Sequence, residues 1–297
     1  MTQEMLTGCF TALATPFDAN GAVDADAFAR LVEWQISEGI HGLVPVGSTG
    51  EAATMSLDER LGVVRLCADR AAGRVPVIAG AGGNDTRVAI ETSKAMGGTG
   101  ATHLLHVSPM YSKPPQRGIL AHFRAVADAS PLPVVVYNVP GRTASNIEAE
   151  TTLALAEHEN ICAVKEASGN LAQISEIIRH APKGFSVLSG DDSLTLGVIA
   201  GGGQGVVSVV SNVAPRPMSD LCRRALEGNM EAARALHLKL HALMGTAFCE
   251  SNPIPVKAAL AMMGRAKNQL RLPLVPMDSK HDAKLRASLI EAGALSK

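Results

Sequence analysis

The sequence is poor in aromatic residues, which make up only 3% of its 297 positions. Its hydrophobic fraction is nevertheless 46%, so one large core must be built mainly from small and aliphatic side chains. An excess of positive charge is also lacking, because 27 Lys and Arg stand against 28 Asp and Glu. Nucleic acid and anionic membranes are therefore not expected as main partners, since binding either one requires a basic face.

Sequence signals for membrane insertion or secretion are not found either. No apolar run reaches the roughly 20 residues that span a bilayer, and residues 1–10 lack the basic-then-apolar order of a secretion signal. The five cysteines are widely spaced and form no C-x-x-C pair, which argues against a zinc ribbon or a thioredoxin-type redox site. Reduced thiols in a cytoplasmic protein are the simplest interpretation.

Metal binding is not indicated by the remaining ligand-type residues. His103 and His106 are three positions apart on a predicted strand and so face opposite sides of it. Asp191 and Asp192 are adjacent, but no third carboxylate or histidine lies near them in the sequence. Solvated or helix-capping roles are expected for this pair, and we predict no metal.

What the sequence does contain is a regular alternation of short apolar runs and helix-like stretches. The eight runs are residues 9–14, 42–46, 75–79, 103–107, 134–137, 162–165, 185–188 and 205–209. Strands alternating with helices indicate a parallel sheet, and eight such units favour a closed (β/α)₈ barrel. An open doubly wound sheet is the alternative, but it usually carries a glycine-rich motif after its first strand, and none follows residues 9–14.

The pattern changes after the eighth run. From Pro215 onward apolar residues recur at three- and four-residue spacing, which is typical of helices. We therefore predict two regions, a barrel with the active site at residues 1–229 and a C-terminal helical appendage at residues 230–297.

Lys165 is the sharpest candidate for chemistry, because the active site of such a barrel lies at the C-terminal ends of its strands. By alternation it shares a face with Ile161 and Ala163, which places an amine among apolar side chains. Burial disfavours a charged amine, and a neutral amine attacks carbonyl carbons to form a Schiff base. The alternative is a lysine at the strand rim with its head in water.

Other strand ends carry polar residues that support the first interpretation. Both tyrosines of the chain lie at the ends of predicted strands, Tyr137 as the last residue of one and Tyr111 just after another, and a phenol can carry protons. Ser48 and Thr49 lie between glycines, where backbone N–H groups can bind a carboxylate, and Arg142 offers a bidentate fork. Each residue also has an ordinary structural explanation, as a core tyrosine, a tight turn or a loop arginine. Their convergence favours a Schiff-base site.

Five motifs together resemble the dihydrodipicolinate synthase / N-acetylneuraminate lyase family. They are Gly47-Ser48-Thr49-Gly50-Glu51, Tyr137-Asn138-Val139-Pro140-Gly141-Arg142, Val164-Lys165-Glu166-Ala167-Ser168, Leu188-Ser189-Gly190-Asp191-Asp192 and Arg271-Leu272-Pro273-Leu274-Val275-Pro276. The resemblance spans essentially the full chain. It implies a (β/α)₈ barrel with a C-terminal helical region, class I aldolase chemistry on pyruvate, no cofactor, and a homotetramer built as a dimer of dimers.

The resemblance also implies catalytic roles for four residues. Lys165 would form the covalent imine with pyruvate, and Tyr137 would be the acid–base group beside it. Thr49 and Tyr111 would complete a relay of hydroxyl groups, with Tyr111 reaching into the site of a neighbouring subunit.

Substrate binding is implied for a second, overlapping set. Ser48 and Thr49 would hold the carboxylate of pyruvate, while Gly190 and the backbone of Val207 would line the pocket. Arg142 would bind the carboxylate of the second substrate at the entrance.

Arg142 in its motif also favours one branch of the family, because the sialic acid lyases lack an arginine there. That branch condenses pyruvate with L-aspartate 4-semialdehyde to 4-hydroxy-tetrahydrodipicolinate, a lyase reaction at the first committed step of the diaminopimelate route to lysine. One alternative is a sister aldolase or dehydratase acting on a sugar acid or another 2-oxo acid. A non-catalytic binding member is less favoured, because it would need none of the relay residues.

Feedback regulation is the point at which the sequence departs from the family pattern. Lysine-inhibited members place polar residues at an effector site between subunits, and only Asn84 is kept here. The other matching positions are Leu57, Arg60, Val88 and Met110. Among these, the three apolar side chains offer no strong acceptor for an ammonium group. We therefore predict weak or absent inhibition by lysine.

Overall fold

The computed structural model describes residues 5–296, and its central feature is a barrel of eight parallel strands. They are β1 Gly8–Ala12, β2 Gly42–Val44, β3 Ile78–Gly80, β4 His103–Val107, β5 Val134–Asn138, β6 Ile161–Glu166, β7 Ser186–Ser189 and β8 Gly205–Ser208. Neighbours pair in the order β2-β1-β8-β7-β6-β5-β4-β3, and a parallel bridge between Leu43 and Val77 joins the two ends. The predicted (β/α)₈ barrel is therefore confirmed. Residues 1–4 and 297, the outer ends of the two predicted regions, lie outside the described residues.

Helices alternate with the strands and continue beyond the last one. They are α1 Ala25–Ser37, α2 Leu57–Ala71, α3 Thr86–Met96, α4 Gln116–Ala129, α5 Pro140–Thr143, α6 Ala149–Ala156, α7 Leu171–His180, α8 Thr195–Ala200, α9 Pro215–Leu226, α10 Met230–Thr246, α11 Ile254–Met262 and α12 Asp282–Ala292. Helix α2 begins at a capping box in which Ser56 and Glu59 exchange side-chain to backbone hydrogen bonds, satisfying amides that the first turn leaves without partners. None of the helices within residues 5–296 has both the length and the apolar character needed to cross a membrane.

The third strand lies further along the chain than its apolar run predicts. Residues 75–79 were the expected strand, whereas β3 begins at Ile78. Pro76 has no N–H to donate to a ladder, and only its carbonyl takes part, accepting from Leu43 N at 3.0 Å. Regular pairing therefore starts after the proline.

An irregularity in β6 overturns part of one prediction. Its pairing with β5 passes from Val134–Ile161 to Val135–Ala163, so one extra residue is inserted in β6. Ala163 consequently packs inside the barrel with Val135, whereas Ile161 packs with the outer helices. The expectation that Ile161 shares the inner face with Ala163 and Lys165 is wrong for Ile161 and correct for the other two.

The helices after residue 229 share a hydrophobic core with the barrel. Leu243 of α10 and Leu289 of α12 belong to the same buried cluster as Leu13 and Leu43 near the first strands. Helix α10 begins at Met230, next to the predicted boundary. Because the core is continuous, the division into two regions stays a prediction.

Candidate active site

A cavity of about 660 Å³ opens at the C-terminal ends of the strands, a volume typical of small-molecule sites. Six predicted site residues line it: Ser48, Thr49, Tyr137, Arg142, Lys165 and Gly190. Two predicted residues do not: Tyr111 and Val207. The barrel thus brings most of the candidates together from four separate stretches of sequence.

Lys165 and Tyr137 face each other inside this cavity. They are paired across β5 and β6, and Lys165 Nζ lies 4.1 Å from the centroid of the Tyr137 ring. Burial lowers the pKa of Lys165 to about 7, an effect that the Asp192 carboxylate opposes and the Arg142 cation assists. A substantial fraction of the amine is therefore neutral near pH 7, which is the form that attacks a carbonyl.

Tyr137 is suited to donate a proton. Burial raises the pKa of its phenol to about 12, with partial opposition from Arg142. The phenol therefore keeps its proton at neutral pH, and it can take part in proton transfer through hydrogen bonds to neighbouring hydroxyl groups.

Gly190 provides the space beside the lysine. A Cβ atom added there would lie 2.6 Å from Ala167 Cβ and 3.2 Å from both Cγ and Cε of Lys165. Any side chain at this position would push the lysine stem aside, so glycine is required for the amine to keep its place.

The loop after β2 carries two backbone amides at residues that line the cavity. Neither Ser48 N nor Thr49 N donates a hydrogen bond within residues 5–296, so both are available to a carboxylate. The loop is bounded by Val46 and Glu51, which have φ values of 50° and 56°. Left-handed backbone at non-glycine residues is unfavourable, and other contacts must hold it.

Those contacts come from Lys257, which no sequence motif indicated, and from Arg271, which lies in a family motif but had no predicted role. Lys257 Nζ donates to Glu51 Oε1 at 2.5 Å and to Thr15 O at 2.9 Å. Glu51 Oε2 accepts from Arg271 N at 3.1 Å. The C-terminal region therefore fixes the loop that carries Thr49. One signal was present in the sequence, since a lysine inside the apolar stretch of α11 needs a partner.

Asp192 also differs from expectation. Asp191 caps the short 3₁₀ helix that follows it, as predicted, but Asp192 is neither solvated nor a cap. Its Oδ1 accepts from Ser208 Oγ at 2.5 Å, and its Oδ2 accepts from Val209 N at 3.0 Å. Burial raises the pKa of Asp192 to about 6, although these hydrogen bonds oppose the change. It holds the end of β8, and Val209, the residue directly after this strand, lines the cavity in the place predicted for Val207. Val207 itself lies in the inner core.

Arg142 and Tyr111 lie at the edge of the site. Arg142 Nη2 donates to the backbone O of Asn252 at 3.3 Å, which places the guanidinium at the mouth of the cavity. Tyr111 is 91% exposed, and its backbone has a φ of 69°. Within one chain, Tyr111 therefore does not contribute to the cavity that its own strand forms.

The positions matched to the effector site are largely apolar and accessible. Leu57, Val88 and Met110 are 39%, 42% and 39% exposed, and Arg60 reaches the main cavity. Asn84 Oδ1 already accepts from Met110 N at 2.8 Å. One of the two lone pairs of the Asn84 oxygen is thus already in use. Elsewhere, residues 5–296 contain no group of three or more metal-binding side chains.

Comparison with known proteins places this arrangement in context. The profile of the dihydrodipicolinate synthetase family matches residues 5–292. A 4-hydroxy-tetrahydrodipicolinate synthase of Koribacter versatilis is 51% identical over 98% of this chain and 97% of its own length. A monomeric dihydrodipicolinate synthase variant is 42% identical, with a TM-score of 0.96 over 98% of each chain. The chloride-inhibited dihydrodipicolinate synthase of Acinetobacter baumannii, solved with pyruvate, is 40% identical, with a TM-score of 0.96 over 98% of this chain and 100% of that one.

Proposed function

Because the chain belongs to the dihydrodipicolinate synthetase family, we propose that it condenses pyruvate with L-aspartate 4-semialdehyde to give 4-hydroxy-tetrahydrodipicolinate. The membership confirms the resemblance predicted from the sequence, and with it the class of enzyme, a lyase of lysine and diaminopimelate biosynthesis. A sister aldolase acting on a sugar acid is not favoured. The cytoplasmic location stays a prediction.

The amine of Lys165 is the observation that carries the proposal. It is buried in the cavity, its pKa is lowered to about 7, and it lies against Tyr137. Its lone pair attacks C2 of pyruvate, and loss of water from the carbinolamine gives an imine. The free amides of Ser48 and Thr49 would hold the pyruvate carboxylate. No cofactor is needed, because the protonated imine itself accepts electrons.

Proton transfers would then run through hydroxyl groups. Removal of a proton from the pyruvate methyl group gives an enamine. Tyr137 lies beside the Lys165 amine, where its phenol would take part in transferring this proton. The enamine carbon attacks the aldehyde carbon of the second substrate, and a proton returns to the new alkoxide. Thr49, buried in the same cavity, is a second hydroxyl in this path.

Arg142 would select the second substrate. Its guanidinium lies at the cavity mouth, and it can bind a carboxylate through two parallel hydrogen bonds. The amino group of the bound semialdehyde could then attack the imine carbon, release Lys165 and close the ring. Each step conserves atoms without an added oxidant or reductant.

Tyr111 supports an assembly of subunits. Its exposed phenol would enter the site of a neighbouring copy, as the family resemblance implies, and we propose a homotetramer built from two such pairs. A mixture of Lys165→Ala and Tyr111→Phe chains tests whether the active site is shared between two copies, because mixed pairs contain one complete site. Activity above that of either variant alone is expected, and no recovery after subunit exchange would overturn the shared site.

A coupled assay with purified protein, pyruvate and L-aspartate 4-semialdehyde tests the reaction. Turnover is expected for the native chain and not for Lys165→Ala. A folded native chain that turns over neither this pair nor sugar acids would favour a binding protein. Turnover of sugar acids alone would favour the sister activity.

A further inference from the structure

We propose that Asn252 is a positioning residue that sets the direction of proton transfer by donating a hydrogen bond to Thr49. Asn252 lies just before α11, in the C-terminal region, and it lines the cavity with Lys165 and Tyr137. The inference rests on the proposed function, because it concerns the same proton path.

The contact itself is direct and buried. Asn252 Nδ2 donates to Thr49 Oγ1 at 2.9 Å, and the two residues are 6% and 3% exposed. This is the only hydrogen bond that Thr49 Oγ1 makes within residues 5–296. A hydroxyl has one proton to give and lone pairs to accept with. When Asn252 occupies a lone pair, the Thr49 proton is left to be donated into the cavity.

Asn252 also contacts Arg142, so it touches one residue proposed to act on each substrate. While its side chain contacts Thr49, its backbone O accepts from Arg142 Nη2 at 3.3 Å. The other amide atom, Oδ1, is buried and accepts no hydrogen bond from residues 5–296. Leaving this buried oxygen without a hydrogen bond costs free energy. The contact with Thr49 therefore explains the presence of an amide at this position better than packing does.

These two contacts predict a separation of kinetic effects. Asn252→Ala removes the donor to Thr49 and leaves the backbone carbonyl that Arg142 uses. We expect kcat to fall roughly ten- to hundredfold, which is part of what general acid–base catalysis contributes. The KM for the semialdehyde should stay close to the native value.

The proton step can be measured without the second substrate. In D₂O, NMR follows exchange of the pyruvate methyl protons after enamine formation, and borohydride trapping measures the imine separately. We expect Asn252→Ala to slow exchange while trapping at Lys165 persists. The exposed Asn268 provides a matched control, because it carries the same side chain and does not line the cavity, and Asn268→Ala should behave as the native chain.

Two further variants make the test decisive. Asn252→Asp keeps the shape of the side chain, but a carboxylate can only accept, so it should not restore exchange. In the Thr49→Val background, Asn252→Ala should cause no further loss, because its effect passes through the Thr49 hydroxyl. Native exchange in Asn252→Asp, or an equal loss in both backgrounds, would overturn the inference. A native chain that neither traps pyruvate nor exchanges its protons would instead overturn the proposed function.

Discussion

Glu51 and Lys257 are 206 positions apart in the sequence and form an ion pair at 2.5 Å, with side chains only 0% and 1% exposed. The pair connects the loop after β2 to helix α11. It therefore ties a loop that lines the cavity to the C-terminal region of the chain.

Breaking this pair should destabilise the fold. Lys257→Met leaves the Glu51 carboxylate buried without its cation, which costs on the order of 3–5 kcal/mol. Chemical denaturation should show the loss, whereas Lys239→Met on the exposed face of α10 should not. The double variant Lys257→Met/Glu51→Leu should recover part of the stability. Equal stability of the native chain and Lys257→Met would contradict this account.

Imine formation should follow the titration of Lys165. Below its pKa of about 7 the amine is protonated and unreactive, so the trapping rate should rise with pH and level off above about pH 7. Borohydride reduction at saturating pyruvate, followed by mass measurement of the labelled peptide, gives this profile. A rate that keeps rising to pH values typical of a solvated lysine, about 10.4, would show that burial does not tune this amine.

Replacing Tyr137 should separate binding from proton transfer. Tyr137→Phe keeps the ring beside Lys165 and removes the phenol proton, so kcat should fall about 10²- to 10⁴-fold. Trapping of the pyruvate imine should be slower but still complete. If steady-state turnover is unchanged, the phenol is not the acid–base group.

Arg142 should matter mainly for the second substrate. Arg142→Ala removes a charged hydrogen-bond donor, whose loss costs about 1.5–3 kcal/mol, roughly ten- to a hundredfold in kcat/KM for the semialdehyde. The Arg142 cation also helps to lower the pKa of Lys165, so exchange of pyruvate protons is compared well above pH 7, where the amine is neutral in both chains, and there it should be little changed. The exposed Arg117 of α4 provides a control, and a similar loss in Arg117→Ala would point to general electrostatic attraction instead.

Lysine should have little effect on the rate. Leu57, Val88 and Met110 offer no side-chain acceptor of strength, and Asn84 already accepts from the backbone. Millimolar lysine should leave the initial rate in the coupled assay unchanged. Strong inhibition under these conditions would mean that lysine binds through other groups.

The sequence predicted the features that depend on local periodicity. Eight strand–helix units, and polar residues such as Lys165 and Tyr137 at strand ends, follow from alternation and from the rule that barrel sites lie there. The inserted residue that turns Ile161 outward depends on register between strands. The partners of Asp192, Lys257 and Asn252 depend on which segments meet after the barrel closes. Neither the register between strands nor these long-range contacts are encoded in a local sequence pattern.

The exposure of Tyr111 has a consequence for how the specific activity depends on protein concentration. In the proposed assembly, a solitary copy of this chain would hold Lys165, Tyr137 and Thr49 but would lack the Tyr111 hydroxyl of a neighbouring copy. Diluting the protein would therefore lower its specific activity, and below the dissociation threshold of the pair the rate would rise faster than linearly with concentration. The protein concentration would then set both the number of chains and the fraction of their active sites that is complete.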